Sequence, residues 1–580
     1  MTRHRLRWAA VIVGAASVNL ILLVNFNTLR WPYLWPRPAV EIIVAGIVLA
    51  VCFREYLTGI WLQRLVGLGM VFAGESYVLH SLSVTVQNFS PIALIHLIGA
   101  TGIFAGMVLS YFNQLLPKDH KVAPPLPRDL PHVAVIIPTC GEPVDIVEST
   151  IATVTQLDYP ADRLYVLVSD DGRSEAISQV ARRHGVNYVE GPRQDAKAGN
   201  LNSALAHLDQ VCPQAGFVVT QDADEILDPA FLQKTVGYFA DDRVAFVQTP
   251  KEALVPPNDP FGNRDRVFYD TVQPGRNGSN AAFSCGSGVI WRISAVKSIG
   301  GFSAWNLVED LTTSYQLHSA GFKSEYHNEI LSIGLAPDDI PGMLKQRGTW
   351  AVDTWRLFLF DNPLRRKSLG IRQRLQYLEL GLFYVTAALF TPLLIVTPVL
   401  SLATGIFLPI EGAALFPWMG FILAYYLVLA RGYLARVLRM WQYWIGHGPT
   451  YAKAFWIVAR SRTTKPAYQV TRKTRVSGFY GYLLWPQFLF LFVSAAVILR
   501  AIFAMPEASV LSRLSNIAVL MLLMTLMSGI CQAAFYGVSG KEVIAGMGDA
   551  TRLALQRTTG FLRTPRRRGL LPHSVVEHDD

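Results

Sequence analysis

The sequence predicts a membrane α-helical bundle of about eight transmembrane helices, with a cytosolic α/β domain inserted between its two halves. Three observations lead there. The chain of 580 residues is 51% hydrophobic and only 16% charged, too apolar for an ordinary soluble enzyme of its length. Apolar runs long enough to cross a bilayer fall toward the two ends. Between them, from roughly Val133 to Trp350, short β-rich runs alternate with segments long enough for helices.

About four apolar runs precede the central region, near 8 to 26, 39 to 53, 57 to 80 and 92 to 115. About four follow it, near 376 to 403, 411 to 438, 480 to 504 and 513 to 538. The first run follows Arg3, Arg5 and Arg7, exceeds a signal-peptide core and lacks a small-residue cleavage site, so it reads as a retained anchor. The second is short, and the third contains Arg64 and Glu75. An even number on each side puts both termini and the central region on one face. Clusters at Arg365, Arg366, Lys367, Arg372 and Arg374, and at Arg563, Arg566, Arg567 and Arg568, make that face cytoplasmic. The net charge of +10 is therefore a positive-inside signature beside a lipid membrane, and nucleic acid is not an expected partner. The five cysteines contain no CxxC pair and read as unpaired thiols in a reducing cytosol.

After Pro124-Pro125-Leu126-Pro127, strands are expected at His132 to Ile137, Leu164 to Val168, Val186 to Val189, Phe217 to Thr220 and Val244 to Val247. A largely parallel sheet binds ligands beyond the carboxyl ends of its strands, and Cys140 to Pro143, Asp170-Asp171 and Asp222-Ala223-Asp224 fall there. Ile340 to Phe360 is amphipathic, and Met440 to Ser477 is basic and aromatic; both are expected on the membrane surface. The expected units are helices in 1–116, the α/β domain in 117–340, interfacial helices in 341–375, helices with an interfacial loop (440–478) in 376–540, and a tail in 541–580.

Asp222 and Asp224 offer hard oxygen ligands for Mg²⁺ or Mn²⁺ beside a diphosphate, although Asp is also common where strands turn. Asp170 and Asp171, at a second strand end, favour the ligand reading. Lys197, in Ala196-Lys197-Ala198-Gly199-Asn200, could reach a nucleotide phosphate or simply begin a solvated helix. Glu309-Asp310 could supply a base, because a neutral sugar hydroxyl is a poor nucleophile, or could complement a helix dipole. Gln346-Arg347-Gly348-Thr349-Trp350 offers an indole face to a pyranose ring and donors to hydroxyls or pyrophosphate. The same residue types also anchor interfacial helices. The small residues in Phe283 to Gly288 allow close backbone approach to a ligand, and Cys285 has no His partner within its motif.

In this order the motifs resemble those of the processive family 2 glycosyltransferases, the group that includes the catalytic subunits of bacterial cellulose synthases and curdlan-type β-glucan synthases. The family pattern is an acidic pair, DxD, (T)ED and Q(Q/R)xRW, with AKAGN and FxCGS-like elements between. The resemblance implies a GT-A glycosyltransferase fold, a UDP-glucose donor, Mg²⁺ or Mn²⁺, and inverting elongation of a nascent β-glucan exported through the bundle of a bacterial inner membrane protein. It implies nucleotide binding by Thr139, Glu142, Asp170, Asp171, Lys197, Asp222 and Arg347, and metal binding by Asp222 and Asp224. Asp310 becomes the general base, with Cys285, Glu309, Gln346 and Trp350 at the acceptor sugar. Tyr468-Gln469-Val470-Thr471-Arg472-Lys473 is similar to the family's FxVTxK gating loop, which makes Tyr468, Val470, Thr471 and Lys473 gating-loop candidates. Thr349 stands where the family has arginine, Val308 where it usually has Thr, and no PilZ domain is expected in the tail. The product is therefore expected to be β-1,4-glucan, or β-1,3 or mixed-linkage glucan, with room for a periplasmic export partner. The alternatives are a hyaluronan- or chitin-like synthase using a UDP-N-acetylhexosamine, and a non-catalytic glycan channel.

Overall fold

A computed structural model describes residues 59–256, 259–408, 412–462, 464–466, 478–504 and 510–538. Strand β1 (His132–Thr139) is buried along nearly its whole length, as its unbroken apolar run requires of a strand covered on both faces. It pairs in parallel with β2 (Leu164–Asp170) and β4 (Ala215–Thr220), and β2 pairs in parallel with β3 (Asn187–Glu190). The remaining strands are β5 (Glu225–Leu227), β6 (Val244–Gln248), β7 (Lys251–Ala253), β8 (Val289–Arg292), β9 (Lys323–Tyr326) and β10 (Ser332–Gly334). The main sheet runs β3-β2-β1-β4-β8-β6-β9, and β5-β10-β7 form a smaller sheet. All five expected strands are present. Antiparallel β8 enters between β4 and β6, an insertion that the expected strand pattern did not include.

Alternate residues of β1 face two cores. Val133, Val135 and Ile137 pack with Val147, Ile151 and Ile177, while Ala134 and Ile136 pack with Leu201, Leu205 and Trp291. Helices named for the site are α1 (Ile60–Gln87), α2 (Pro91–Asn113), α3 (Val144–Val154), α4 (Glu175–Arg183), α5 (Ala196–Val211), α6 (Asp310–Ser319) and α7 (Ile340–Phe360). They are followed by α8 (Ile371–Thr404), α9 (Gly412–Leu429), α10 (Leu434–Gly446), α11 (Gly448–Arg460), α12 (Trp485–Phe503) and α13 (Val510–Ala533).

Among the described residues, five helices are long and apolar enough to cross a membrane: α1, α2, α8, α13 and α12 with the turn before it. The expected runs at 8 to 26 and 39 to 53 lie outside the described residues. Phe492 and Phe503 on α12 are 74% and 80% exposed, surface that water would penalise and lipid tails accept. Arg64 does not disturb α1, because its guanidinium donates to the Leu115 carbonyl just beyond the end of α2, at 2.7 and 3.0 Å. On α2, a side chain at Gly99 would meet the Leu394 amide nitrogen at 2.9 Å and the Phe390 oxygen at 3.0 Å. The α2 and α8 backbones therefore touch, as small residues permit between membrane helices.

The expected run at 411 to 438 is not one straight helix. The chain bends by 112° between Leu429 and Leu434. Arg431 and Gly432 take left-handed backbone there, and the Gly432 amide donates back to the Leu427 carbonyl at 2.7 Å, ending α9. Helix α7 matches the amphipathic stretch predicted over Ile340 to Phe360. It packs on α11 and α8, so the α/β unit meets the helical bundle along it.

Candidate active site

The carboxyl ends of β1 and β2 form the first part of the site. Asp170 is fully buried and its carboxylate is spent on the chain around it. It accepts from Thr139 Oγ1 at 2.8 Å, from the Gly172 and Ser174 amides at 2.7 Å each, and from the Tyr188 hydroxyl at 3.2 Å. Asp171 accepts from the Arg193 amide at 2.9 Å. The Cys140 amide donates to Glu142 at 2.5 Å. Burial raises the pKa of the Cys140 thiol, as do Glu142, Asp171 and Asp170, so three carboxylates converge on this loop. Asn200 on α5 donates to the Ser169 carbonyl at 2.9 Å, locking the AKAGN turn to the end of β2.

The second part is a charged cluster at the end of β4. Lys197 Nζ lies 2.6 Å from Asp222 Oδ1, 2.7 Å from the Gly286 carbonyl and 3.2 Å from Glu309 Oε1. Lys251 Nζ lies 3.5 Å from Asp222 Oδ2 and pairs with Glu225. Burial opposes both ammonium charges, yet the surrounding carboxylates hold both lysines above the ordinary lysine range. Lys197 lies in the first turn of α5 with its ammonium turned into this cluster. The turn that aims it inward carries consecutive left-handed residues, Asp195 and Ala196.

Gly286 shapes the floor of the cluster. Its φ is +85°, and an added side chain would sit 3.3 Å from Asp310 Oδ2 and 3.4 Å from Lys197 Nζ. Asp310 begins α6 and accepts from the Leu311 amide at 2.6 Å. Burial and the neighbouring Glu309 push its carboxyl up to about 7, against the pull of the Leu311 amide and the two lysines. A carboxylate balanced there exchanges a proton readily near neutral pH. Glu309 is 3% exposed. Cys285 is held by Gln248, whose side-chain oxygen accepts from its amide at 2.8 Å, while burial and Asp310 push its thiol up to about 12. Both effects disfavour the thiolate form that a nucleophile needs.

The QRGTW motif lies on the first half of α7. Arg347 donates to Asp265 at 2.8 Å and to the Gly262 carbonyl at 3.0 Å, and its guanidinium sits 4.8 Å from the centre of the Trp350 ring. This guanidinium is directed at Asp265 and the indole, whereas Lys197 and Lys251 carry the positive charge beside Asp222. Trp350 is 38% exposed, and Gln346 lies one turn before it. Tyr468, Val470, Thr471 and Lys473 lie outside the described residues.

The motif reading missed Lys251, Glu225 and Gln248. Lys251 and Gln248 lie at and just beyond the carboxyl end of β6, so the strand-end rule could have found both. Among the described residues no three His, Cys, Asp or Glu side chains gather as a metal cage. Mg²⁺ does not need one: two carboxylates completed by phosphate oxygens and water are a usual donor set, and Asp222 and Asp224 are the expected pair.

The parallel-centred sheet with charged strand ends, joined by α7 to apolar helices, agrees with the expected GT-A glycosyltransferase fold carrying helical segments. Residues 131–353 match the family described as Glycosyltransferase like family 2, and the chain carries a domain of that family. The chain is homologous to bacterial cellulose synthase catalytic subunits. It is 35% identical over 325 residues to "Putative cellulose synthase 2" of Komagataeibacter xylinus, covering 52% of this chain and 21% of that protein. It is 30% identical over 397 residues to "Cellulose synthase catalytic subunit, UDP-forming" of Xanthomonas axonopodis pv. citri (strain 306), covering 65% of this chain and 52% of that one. The alignments thus span about half of these relatives' length or less. Among solved structures, the mannosyltransferase PcManGT from Pyrobaculum calidifontis, in complex with GDP-Man and Mn²⁺, aligns over 64% of this chain and 99% of its own at 20% identity, with a TM-score of 0.49.

Proposed function

We propose that the chain is a UDP-sugar-dependent inverting hexosyltransferase that joins glucose from UDP-glucose into a β-glucan and exports the polymer through its helical bundle. The observation that carries this reading is the convergence of Lys197, Lys251 and Asp222 with Asp310 around Gly286. An acceptor hydroxyl gives its proton to Asp310 as its oxygen bonds to the anomeric carbon. The bond from that carbon to the UDP oxygen breaks, and the diphosphate leaves beside two ammonium groups that stabilise its charge. Held by Asp222 and Asp224, Mg²⁺ or Mn²⁺ would add positive charge at the same diphosphate.

In this reading Thr139, Glu142, Asp170 and Asp171 build the nucleotide end of the cleft, Asp170 by shaping the loop. Glu309, Cys285, Gln346 and Trp350 border the acceptor, with the exposed indole free to stack on a sugar ring. Arg347 braces that indole. Residues 117–340 form the catalytic unit of an inner-membrane protein, and 341–375 join it to the exporting helices.

The test supplies purified full-length protein in lipid nanodiscs with Mg²⁺ or Mn²⁺ and radiolabelled UDP-glucose or UDP-N-acetylglucosamine. Incorporation from UDP-glucose into material cut by cellulase or β-1,3-glucanase is expected, and the enzyme that cuts it gives the linkage. Incorporation from UDP-N-acetylglucosamine alone moves the reading to a chitin- or hyaluronan-like synthase. No incorporation from either donor favours a non-catalytic channel.

A further inference from the structure

Five consecutive residues just before the candidate base are held by side chains from outside their own loop. The Ala304 carbonyl accepts from Lys465 at 3.1 Å, and the Trp305 carbonyl accepts from Arg356 at 3.2 Å. Asn306 accepts from Arg356 Nε at 3.0 Å and donates to the Asp353 backbone carbonyl at 3.0 Å. The Leu307 and Val308 amides donate to the two oxygens of a single carboxylate, Asp353 Oδ1 at 2.8 Å and Oδ2 at 3.0 Å. Glu309 and Asp310 come next in the chain.

Asp353 lies on α7, three residues beyond Trp350, and is 1% exposed. A buried carboxylate needs donors for both oxygens, and here two adjacent backbone amides supply them. The bond pair fixes the peptide planes at 307 and 308, and those planes set the direction in which the chain enters α6. Arg356, one turn further along α7, holds the same loop from its other end and also donates to the Ser461 and Thr464 carbonyls at 3.3 and 3.4 Å. The helix carrying the candidate acceptor residues thus grips the loop carrying the candidate base.

We infer that Asp353 is a positioning residue for Asp310: through its two amide bonds, helix α7 sets where the Asp310 carboxylate stands relative to Lys197 and to an acceptor bordered by Trp350. The inference rests on the glycosyltransferase reading above. It assigns Asp353 no contact with substrate.

The experiment uses the full-length protein in nanodiscs and compares wild type, Asp353→Asn and Asp353→Glu. It measures kcat and KM for sugar transfer from UDP-glucose, UDP affinity by calorimetry, melting temperature, and amide hydrogen exchange across 304–312. Asn keeps one acceptor oxygen and turns an NH₂ group toward the second amide. A small displacement of the base should lower kcat about 100-fold in Asp353→Asn, with KM and UDP affinity little changed. Exchange at Leu307 and Val308 should quicken, and Asp353→Glu, which keeps both acceptor oxygens, should recover part of kcat. Wild-type kcat in Asp353→Asn would overturn the inference and leave the glycosyltransferase reading standing. So would parallel losses of UDP affinity and melting temperature with no recovery in Asp353→Glu, which mark a merely structural role. If Asp353→Asn does not fold, the kcat and exchange of Asp353→Glu decide: the inference requires the two to change together or not at all, and a change in either one alone overturns it. A wild-type protein that transfers no sugar from UDP-glucose or UDP-N-acetylglucosamine removes the reading and the inference together.

Discussion

Asp310 and Lys197 divide the proposed chemistry between a proton and a charge. A base must be ionised to act, and burial beside Glu309 holds the Asp310 carboxyl up at about 7. The sign follows: the active form is lost as pH falls through 7, so kcat should drop about tenfold per pH unit on the acid side. An acid limb lying near 4 instead would show that the base is an unperturbed carboxyl. Lys197 stays cationic across this range, since Asp222 and Glu309 hold it above the usual lysine values despite its burial. Lys197→Met removes one of two ammonium groups from the diphosphate and leaves Asp222 and Glu309 facing each other. Weaker UDP binding by calorimetry is the expected result, together with a kcat loss of about 100-fold or more. Gly286→Ala forces a side chain against both groups at a positive φ, and should abolish transfer in a protein that still melts cooperatively.

At the scale of elements, the site is an agreement between strand ends and helix α7. Much of it was legible in the sequence. Apolar β-branched runs ending in Asp170 and Asp222 gave the strands and the edge where ligands bind, and the mixed apolar and basic stretch Ile340 to Phe360 gave α7 with its bounds. What the sequence hid were pairings set by tertiary contact. The run at 244 to 247 announced β6, but nothing in it revealed that antiparallel β8 separates it from β4. Asp170 is expected in the nucleotide site, and the motif does not reveal that its oxygens also accept from the Gly172 and Ser174 amides of its own loop. The motif likewise does not reveal that Asp265 lies 2.8 Å from Arg347. That pairing predicts that Asp265→Ala frees the guanidinium beneath Trp350. Transfer should then show a raised KM for a soluble acceptor sugar and unchanged UDP affinity, checked by acceptor titration and calorimetry.

For the whole molecule, the question is how the α/β unit is fixed to the apolar helices. Besides α7, a buried polar seam joins them. Arg276 is 2% exposed and donates to the Gln376 carbonyl at 2.8 Å and to Glu379 at 3.2 Å, and Asn113 donates to the same Glu379 oxygen at 2.9 Å. The seam ties the α/β unit to the end of α2 and the start of α8. Glu379→Ala would leave a buried guanidinium without its counter-charge, a loss of about 3–5 kcal/mol, and should lower the melting temperature of the purified protein clearly. Among the described residues, five helices able to cross a membrane stand beside the glycosyltransferase domain, and synthesis coupled to export is the proposal to be tested. The most direct test of that account is the polymer formed from radiolabelled UDP-glucose by wild type and by Asp310→Asn, assayed side by side in nanodiscs. The account predicts a glucanase-sensitive polymer from wild type and none from Asp310→Asn. Equal polymer from both, or none from wild type, would contradict it.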